Sequence, residues 1–466
     1  MAMTSDALKA ADVEQNLKHF DSVIVGLGTT GMSCVRYLSA RGCTSFAVVD
    51  SRPQPPQLDA LRDAYAEVPV YLGGYHEEIL ATALQLIVSP GVSLREAAIE
   101  MALGNGAAIV NDIELFCREA TAPVLAVTGS NGKSTVATLV SEMIRHAGKR
   151  VLLGGNIGIP ALDLLRDTPP DYYVLELSSF QLEPLNSLNA RASVVLNVSE
   201  DHMDRYRDID EYSAVKSGIY CGDGRMVINL DDPRVAACRR NGRDTIFYTL
   251  GEPGEGAFGV RELEGERYLA RGSDRLLPVS RLKLHGDHNV SNCLAALALG
   301  SAIDLPMEPM LETLEQFRGL PHRCQWVASI NGVHWYNDSK GTNVGASCAA
   351  IIGLGGTGPV ILIAGGMSKG ADFTPLAQTA GKGGLRAAVL IGRDGAIIGS
   401  ALQDRVPVYY ATSMEAAVTT AAGLARAGDV VLLSPACASF DMFRDYQQRG
   451  DVFMECVARL ARGDRS

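Results

Sequence analysis

The 466 residues carry 42 lysines and arginines against 53 aspartates and glutamates, a net charge of −11, with 47% hydrophobic and 20% charged positions. That balance excludes a general nucleic-acid binder, which would show a basic face. It leaves enough apolar residues for several cores, in roughly two to four domains of ordinary size. Anionic small molecules are not excluded, because local loops bind phosphate on an acidic protein.

The N-terminal stretch MAMTSDALKAADVEQNLKHFD lacks the apolar core of a signal peptide. No run reaches the ~18 apolar residues of a membrane span. The ten cysteines, Cys34, Cys43, Cys117, Cys221, Cys238, Cys293, Cys324, Cys348, Cys437 and Cys456, show no C-x-x-C spacing. A zinc site or disulfide framework is therefore not expected. The expectation is a reduced, cytoplasmic protein with no membrane span and no nucleic-acid partner.

Along the chain, SVIVG, FAVVD, LQLIVS, VLAVT, YYVLEL, SVVLNV, MVINL, VILIAG, AAVLIG and DVVLLS read as buried parallel strands. They alternate with helix-patterned segments, which predicts an α/β protein with doubly wound sheets. A first unit closes near Asp112 and a new strand-loop-helix unit opens at Pro123. Residues 250–275 are rich in glycine and charge and read as hairpins or loops. FRGLPHRCQW, with Gly319 and Pro321 after a helical stretch, marks a hinge. The strand pair WVASINGVHWYND and a last α/β unit follow. Three domains are expected: 1–112, Rossmann-like; 113–319, a P-loop ATPase-like parallel sheet; and 320–466, again Rossmann-like.

Two glycine loops carry chemistry. GLGTTG places Gly26, Gly28 and Gly31 between strand SVIV and helix MSCVRYLSARG, the context of a dinucleotide fingerprint. Asp50 ends the next strand, where an acidic residue would bond a ribose hydroxyl. The alternatives are a nicotinamide dinucleotide, another nucleotide diphosphate, or a plain tight turn. TGSNGKST, Thr128 to Thr135, follows VLAV and opens STVATLVSEMIRHAG. It fits G-x-x-G-K-[ST], shorter than the usual P-loop. The mechanics are kept: N–H groups of Gly129, Ser130, Asn131 and Gly132 cradle phosphates, Lys133 reaches the β/γ oxygens, and Ser134 holds Mg²⁺, with Thr135 next. Glu176, at the end of YYVLE, suits a Mg²⁺ shell, and His202 in NVSEDHMDRY also follows a strand end.

TGSNGKST, ELSSFQLE, NVSEDHMDRY, HNVSN, GLPHR, NDSKGTN and LSPACASFD occur in that order between Thr128 and Asp441. Together they resemble the Mur ligase family, which builds peptidoglycan precursors. NDSKGTN and SPACASFD are the most specific of them. The resemblance implies ATP-dependent activation of a carboxylate as an acyl phosphate, attack by an amino acid, and release of ADP and phosphate. Within the family it is nearest to the branch that adds D-glutamate to UDP-N-acetylmuramoyl-L-alanine.

By that resemblance Lys133, His202, Lys216, Asp338 and Lys340 are catalytic. The loop Gly129–Thr135 with Asn289, Arg323 and Asp338 would hold ATP. Ser134, Glu176, His202 and a carbamylated Lys216 in EYSAVKSGIY would hold Mg²⁺. A solvent-exposed helical lysine is the ordinary alternative for Lys216. Thr342, Lys369, Ser439 and Tyr446 would form the D-glutamate pocket; Tyr446 falls where some members carry phenylalanine. Gly28, Thr29, Thr30, Ser51, Arg52, Ser89, Gly91 and Asn156 would bind the UDP substrate, so that two nucleotide ligands account for two phosphate loops. A monomer is expected. An NAD-dependent oxidoreductase, a P-loop switch, and a Mur or folylpolyglutamate-type ligase with another acceptor remain the competing readings.

Overall fold

The structure is a computed structural model that describes residues 19–462 apart from positions 167, 285 and 369. Most of the N-terminal stretch read above, and Lys369, thus lie outside the described residues. The strands form three sheets, of five, nine and six strands. The chain divides into two compact units: Met1–Thr128 with Lys149–Ser193 and Gly218–Gly224, and Gly129–Gly148 with Val194–Ser217 and Arg225–Ser466.

In the first unit, β1 (Ser22–Val25), β2 (Phe46–Asp50), β3 (Val70–Leu72), β4 (Gln85–Val88) and β5 (Ala108–Val110) make a sheet in the order β3-β2-β1-β4-β5. All its pairings are parallel. The same unit holds β6 (Val124–Thr128), β7 (Val151–Gly155) and β8 (Tyr172–Glu176), with β8 parallel to both others. Then β9 (Ala192–Val195) leads into the second unit. There β10 (Arg225–Asn229) and β11 (Thr245–Tyr248) are parallel. The glycine-rich stretch folds into the hairpins β12 (Phe258–Leu263), β13 (Glu266–Arg271) and β14 (Asp274–Pro278). The middle sheet is therefore mixed: its parallel strands are extended by an antiparallel edge.

The third sheet runs β15-β16-β20-β17-β18-β19, from β15 (Gln325–Ile330), β16 (Val333–Asn337), β17 (Val360–Gly365), β18 (Leu385–Ile391), β19 (Val408–Tyr410) and β20 (Val430–Leu433). Only β15 is antiparallel to its neighbour. Its strands read as unbroken apolar runs because both faces are covered. Val360, Leu362, Leu390 and Leu432 point into one core, and Ile361, Ile363, Val389 and Leu433 into another. Each such side chain contributes about 1.5–3 kcal/mol by leaving water.

One buried charge stands out in the first unit. Asp112 opens the helix Asp112–Glu119 behind the cap Asn111, whose side chain accepts from Glu114 N. Asp112 is 1% exposed, and its carboxyl oxygens make no well-aligned hydrogen bond among the described residues. Burial pushes its pKa up to about 6, against the weaker pull of the N–H groups at the helix start and of the Gln181 side chain. The folded chain thus holds a proton that the unfolded chain releases near 3.8. This residue's stabilising contribution is complete below the unfolded value and lost as pH rises through the folded one. Asp112→Asn should gain stability relative to the parent by roughly 1–3 kcal/mol more at pH 8 than at pH 4. Melting curves of both proteins across that range test this; a constant difference would refute it.

Candidate active site

In the first sheet β1 lies between β2 and β4, the point at which the strand order reverses. Ligands of doubly wound sheets lie outside the carboxyl ends of the strands at such a point. A cavity of about 620 Å³ opens there, lined by Gly28, Thr29, Thr30, Ser51, Arg52, Ser89, Gly91 and Asn156. All eight residues expected for the UDP substrate thus share one cavity, and Tyr75 and Gln181 join them. The loop closes tightly onto the helix Thr29–Ala40: a Cβ on Gly31 would sit 2.0 Å from the Gly26 carbonyl oxygen. Ser89 Oγ donates to that same oxygen at 2.9 Å.

Asp50 does not present a free carboxylate to this cavity. It is 2% exposed. Its Oδ2 accepts from Leu27 N and Arg52 Nη2, both at 2.7 Å, and its Oδ1 from Arg52 N and Nε, both at 2.9 Å. Burial alone would raise its pKa, but the bonds from Arg52 and Leu27 outweigh it and hold the group below the usual carboxylate range. The acid that would bond a dinucleotide's ribose is committed to its own loop, where it orients the half-exposed Arg52 guanidinium.

In the second unit the loop Gly129–Gly132 enters the helix Lys133–His146. Gly132 has φ +84°, and a Cβ there would meet Asn292 Oδ1 at 2.4 Å. Asn131 N donates to Asn197 Oδ1 at 2.9 Å and Asn197 Nδ2 returns a bond to Asn131 O at 3.1 Å. Ser130 Oγ donates to Ser199 O at 2.9 Å. Lys133 Nζ folds back onto Gly129 O and Ser130 O at 2.8 and 2.9 Å. Arg323 Nη2 donates to Ser134 Oγ at 2.5 Å. Asn131, Gly132, Thr135, Asn289, Arg323, Asp338 and Lys340 line one cleft. Within it Asp338 is buried, accepting from Ser434 Oγ at 2.7 Å and Cys324 N at 3.1 Å. Desolvation pushes its pKa up to about 6 against the pull of Ser434, Cys324 and Arg323. Lys340 Nζ lies 4.1 Å from the Tyr446 ring centre.

A smaller cavity of the second unit is lined by Asp201, His202, Thr342, Asn343 and Ser368. His202 has φ +59°, a left-handed backbone rare outside glycine and enriched at functional sites. Lys216, on the helix Ile209–Ser217, is not a solvent-exposed helical lysine: it is 1% exposed, with Nζ 3.1 Å from Gly129 O and 4.3 Å from the Tyr212 ring centre. Ser439 is buried, its carbonyl accepting from Met442 N and Phe443 N. Neither Ser439 nor Tyr446 lines the cavity that holds Thr342. In the first unit Glu176 ends β8, buried, with Oε1 accepting from Asn156 Nδ2 at 2.7 Å. Among the described residues no three His, Cys, Asp or Glu side chains cluster as a ready metal site. A sparse set of side chains suits Mg²⁺, which takes one or two carboxylates and completes its shell with phosphate oxygens and water.

Sequence reasoning passed over several of these groups. Asn343 closes the motif NDSKGTN. It donates to Asp201 Oδ2 and Asn131 Oδ1, both at 3.1 Å, while its Oδ1 caps the helix Val344–Gly355 through Ala346 N at 2.8 Å. Arg449 is almost fully buried and donates to Ser339 Oγ, Ser339 O and Cys437 O at 3.0, 2.7 and 3.1 Å. An arginine in a terminal helix reads as a solvated charge, so no signal marked it.

Family models match the chain in three consecutive pieces: the N-terminal domain of MurD-like Mur ligases over 20–111, the Mur ligase middle domain over 127–300, and the Mur ligase glutamate ligase domain over 322–437. UDP-N-acetylmuramoylalanine–D-glutamate ligase of Nitrosococcus oceani is 52% identical over 94% of this chain and 96% of its own. The chain belongs to the Mur ligase family. The same ligase of Pseudomonas aeruginosa is 51% identical over 95% of this chain and 98% of its own. Among solved structures, the UDP-N-acetylmuramate–alanine ligase MurC of Thermotoga maritima superposes with a TM-score of 0.60 at 18% identity, covering 95% of this chain and all of that one. MurF of Acinetobacter baumannii gives 0.61 at 18% identity, over 95% and 92% of the two chains. At that identity the two structures speak for the fold of this Mur ligase and not for its substrate.

With Asp50 committed to Arg52, the first cavity should take a uridine diphosphate and refuse NAD. A ligand at a hundred times its Kd stabilises the native state by about 2.7 kcal/mol. UDP-N-acetylmuramoyl-L-alanine should therefore raise the melting temperature while NAD leaves it unchanged; a shift with NAD alone would restore the oxidoreductase reading.

Proposed function

We infer that the chain is a UDP-N-acetylmuramoylalanine–D-glutamate ligase that activates its substrate with ATP. The relatives at about half identity over nearly the full length carry this reading. We assign the substrate's nucleotide to a domain over 1–112, ATP to 113–319 and the amino acid to 320–466. ATP and nucleotide-linked sugars are metabolites of the cytoplasm, where we place the reaction, carried out by a monomer.

The substrate carboxylate attacks the γ-phosphoryl group of ATP, giving an acyl phosphate and ADP. The D-glutamate amine then attacks the acyl carbon, loses a proton, and phosphate leaves. The first step brings two anions together, so its barrier is electrostatic. Lys133 and Arg323 are the cations at hand. Both are held on oxygens of the loop and its helix, from which they turn to phosphate oxygens as ATP enters. Asp338, Asn289 and Lys340 position the nucleotide. We propose Ser134, Glu176, His202 and Lys216 as Mg²⁺ residues; bound Mg²⁺ screens the repulsion between carboxylate and phosphates. The second step needs a neutral amine at the acyl carbon, and positioning supplies it, from Thr342, Lys369, Ser439 and Tyr446.

Phosphate release with ATP, UDP-N-acetylmuramoyl-L-alanine and each candidate amino acid tests the reading. D-Glutamate should be consumed and L-glutamate, L-alanine and diamino acids refused, because a fixed set of polar partners leaves the mirror image unpaired. Equal turnover with D- and L-glutamate would overturn it.

Lys216 is proposed to work as a carbamate. A buried ammonium would repel a divalent cation, whereas a carbamate offers the oxygen ligands hard cations prefer. Lys216→Ala and Lys216→Arg should both lose nearly all activity, although arginine keeps the charge. A ¹³C NMR signal after labelling with ¹³CO₂ is expected; a bare amine in the fully active, metal-loaded enzyme would sink the assignment.

A further inference from the structure

In the third sheet β17 feeds β18 on one side, while β20 returns to the other. The loops after β17, β18 and β20 meet at the carboxyl edge of that reversal. Met367 and Ala438 exchange two backbone bonds, 2.9 and 3.0 Å long, tying the first loop to the third. Ser368, the next residue, lines the small cavity with His202 and Thr342.

The second loop contributes Asp394. It occupies the N-cap of the helix Gly395–Leu402, yet its side chain makes no capping bond. An aspartate at this position ordinarily accepts from the first turn of its own helix. Here Oδ2 instead accepts from Ser368 N at 2.7 Å and Ser368 Oγ at 2.9 Å, and Asp394 N donates to Gly366 O at 3.0 Å. Arg393 braces it, with Nε 3.1 Å from Asp394 Oδ1 and its own N–H 2.8 Å from Asp441 Oδ2 on the third loop. The bonds from Arg393 and Ser368 hold the Asp394 carboxyl down at about 2, so it stays ionised wherever the enzyme is handled.

We propose that Asp394 is a positioning residue for the amino-acid acceptor: by giving up its helix cap to hold both donors of Ser368, it fixes Ser368 and its loop against the acceptor cavity. The proposal rests on the ligase reading above. Its physical reason lies in the loop's composition. Gly365, Gly366 and Gly370 flank the segment, and glycine loses more backbone freedom on ordering than any other residue. A loop of that kind left untethered would be ordered by the acceptor itself, which weakens binding. The carboxylate is suited to the role beside an anionic acceptor, because Arg393 and two short donors already satisfy it.

Steady-state kinetics on Asp394→Ala and Asp394→Asn test this, with KM measured separately for D-glutamate, ATP and UDP-N-acetylmuramoyl-L-alanine. Asp394→Ala should raise KM for D-glutamate by about tenfold or more, the loss of charge-assisted hydrogen bonds. The other two KM values and kcat at saturating D-glutamate should stay close to the parent's. Asp394→Asn, whose amide oxygen still accepts from Ser368, should recover most of the affinity. Ser368→Ala combined with Asp394→Ala should cost little more than Asp394→Ala alone. An unchanged KM for D-glutamate overturns the proposal, and so does a parallel rise in all three KM values with a fall in melting temperature. A parent enzyme that consumes no D-glutamate defeats the ligase reading, and the proposal with it.

Discussion

The sites depend on backbone approaching backbone, or a neighbouring side chain, at the carboxyl ends of parallel strands more closely than a Cβ would allow. At Gly31 the contact is the Gly26 carbonyl, which seats the N-terminus of the first long helix over the cavity. At Gly132 it is Asn292, which pins the phosphate loop against the helix Asp287–Ala302. The exposed N–H groups of a helix N-terminus bind anions because they point outward with no partner in their own helix. Such a loop works only where the chain can turn sharply enough to leave those groups facing a cavity. Crossover-connected sheets supply the turn, and glycine supplies the room.

The second constraint is charge. A chain of net charge −11 that binds nucleotides must keep its cations where ligands arrive. It does so by resting them on internal acceptors. Arg52 lies on Asp50, Lys133 on the carbonyls of its own loop, Arg323 on the Ser134 hydroxyl, and Arg393 on Asp394. Each acceptor orients its cation and limits the side-chain entropy that binding must later remove. Lys133 and Arg323 each rest on neutral oxygens, the carbonyls of Gly129 and Ser130 and the hydroxyl of Ser134. For Arg52 and Arg393 the partner is a carboxylate, which makes them braces more than mobile contacts.

Much of this was legible in the sequence because the signals were local. The ten apolar runs named as strands are strands, since covered faces need continuous apolar residues whatever the long-range order. The phosphate loop was legible through its glycine spacing, and the eight residues that share the first cavity were named through the resemblance to the Mur ligases. What was not legible is the pairing of groups distant along the chain. Asp50 reads as a ribose ligand until Leu27 and Arg52 are seen to fill its oxygens. Arg449 reads as surface until the turn at Ser339 closes over it. Lys216 was singled out by the resemblance, but the contact of its amine with the start of the phosphate loop, far away in sequence, was not legible. Asp394 sits in an unremarkable turn whose partner is twenty-six residues upstream.

Asn343 shows how the second unit makes one device of two cavities. Its side chain bonds Asn131, which lines the nucleotide cleft, and Asp201, which lines the cavity of His202 and Thr342. Its oxygen also caps the helix Val344–Gly355, so the amide cannot rotate without uncapping that helix. Loss of such a cap costs ~1 kcal/mol. The same amide group thus holds Asn131 and Asp201 at once. A reaction in two chemical steps needs this economy of motion, because the acyl phosphate made in the first must meet the amine before water does. On the function proposed above, the amide that joins the two cavities would hold the site of phosphoryl transfer and the site of amine attack in one register.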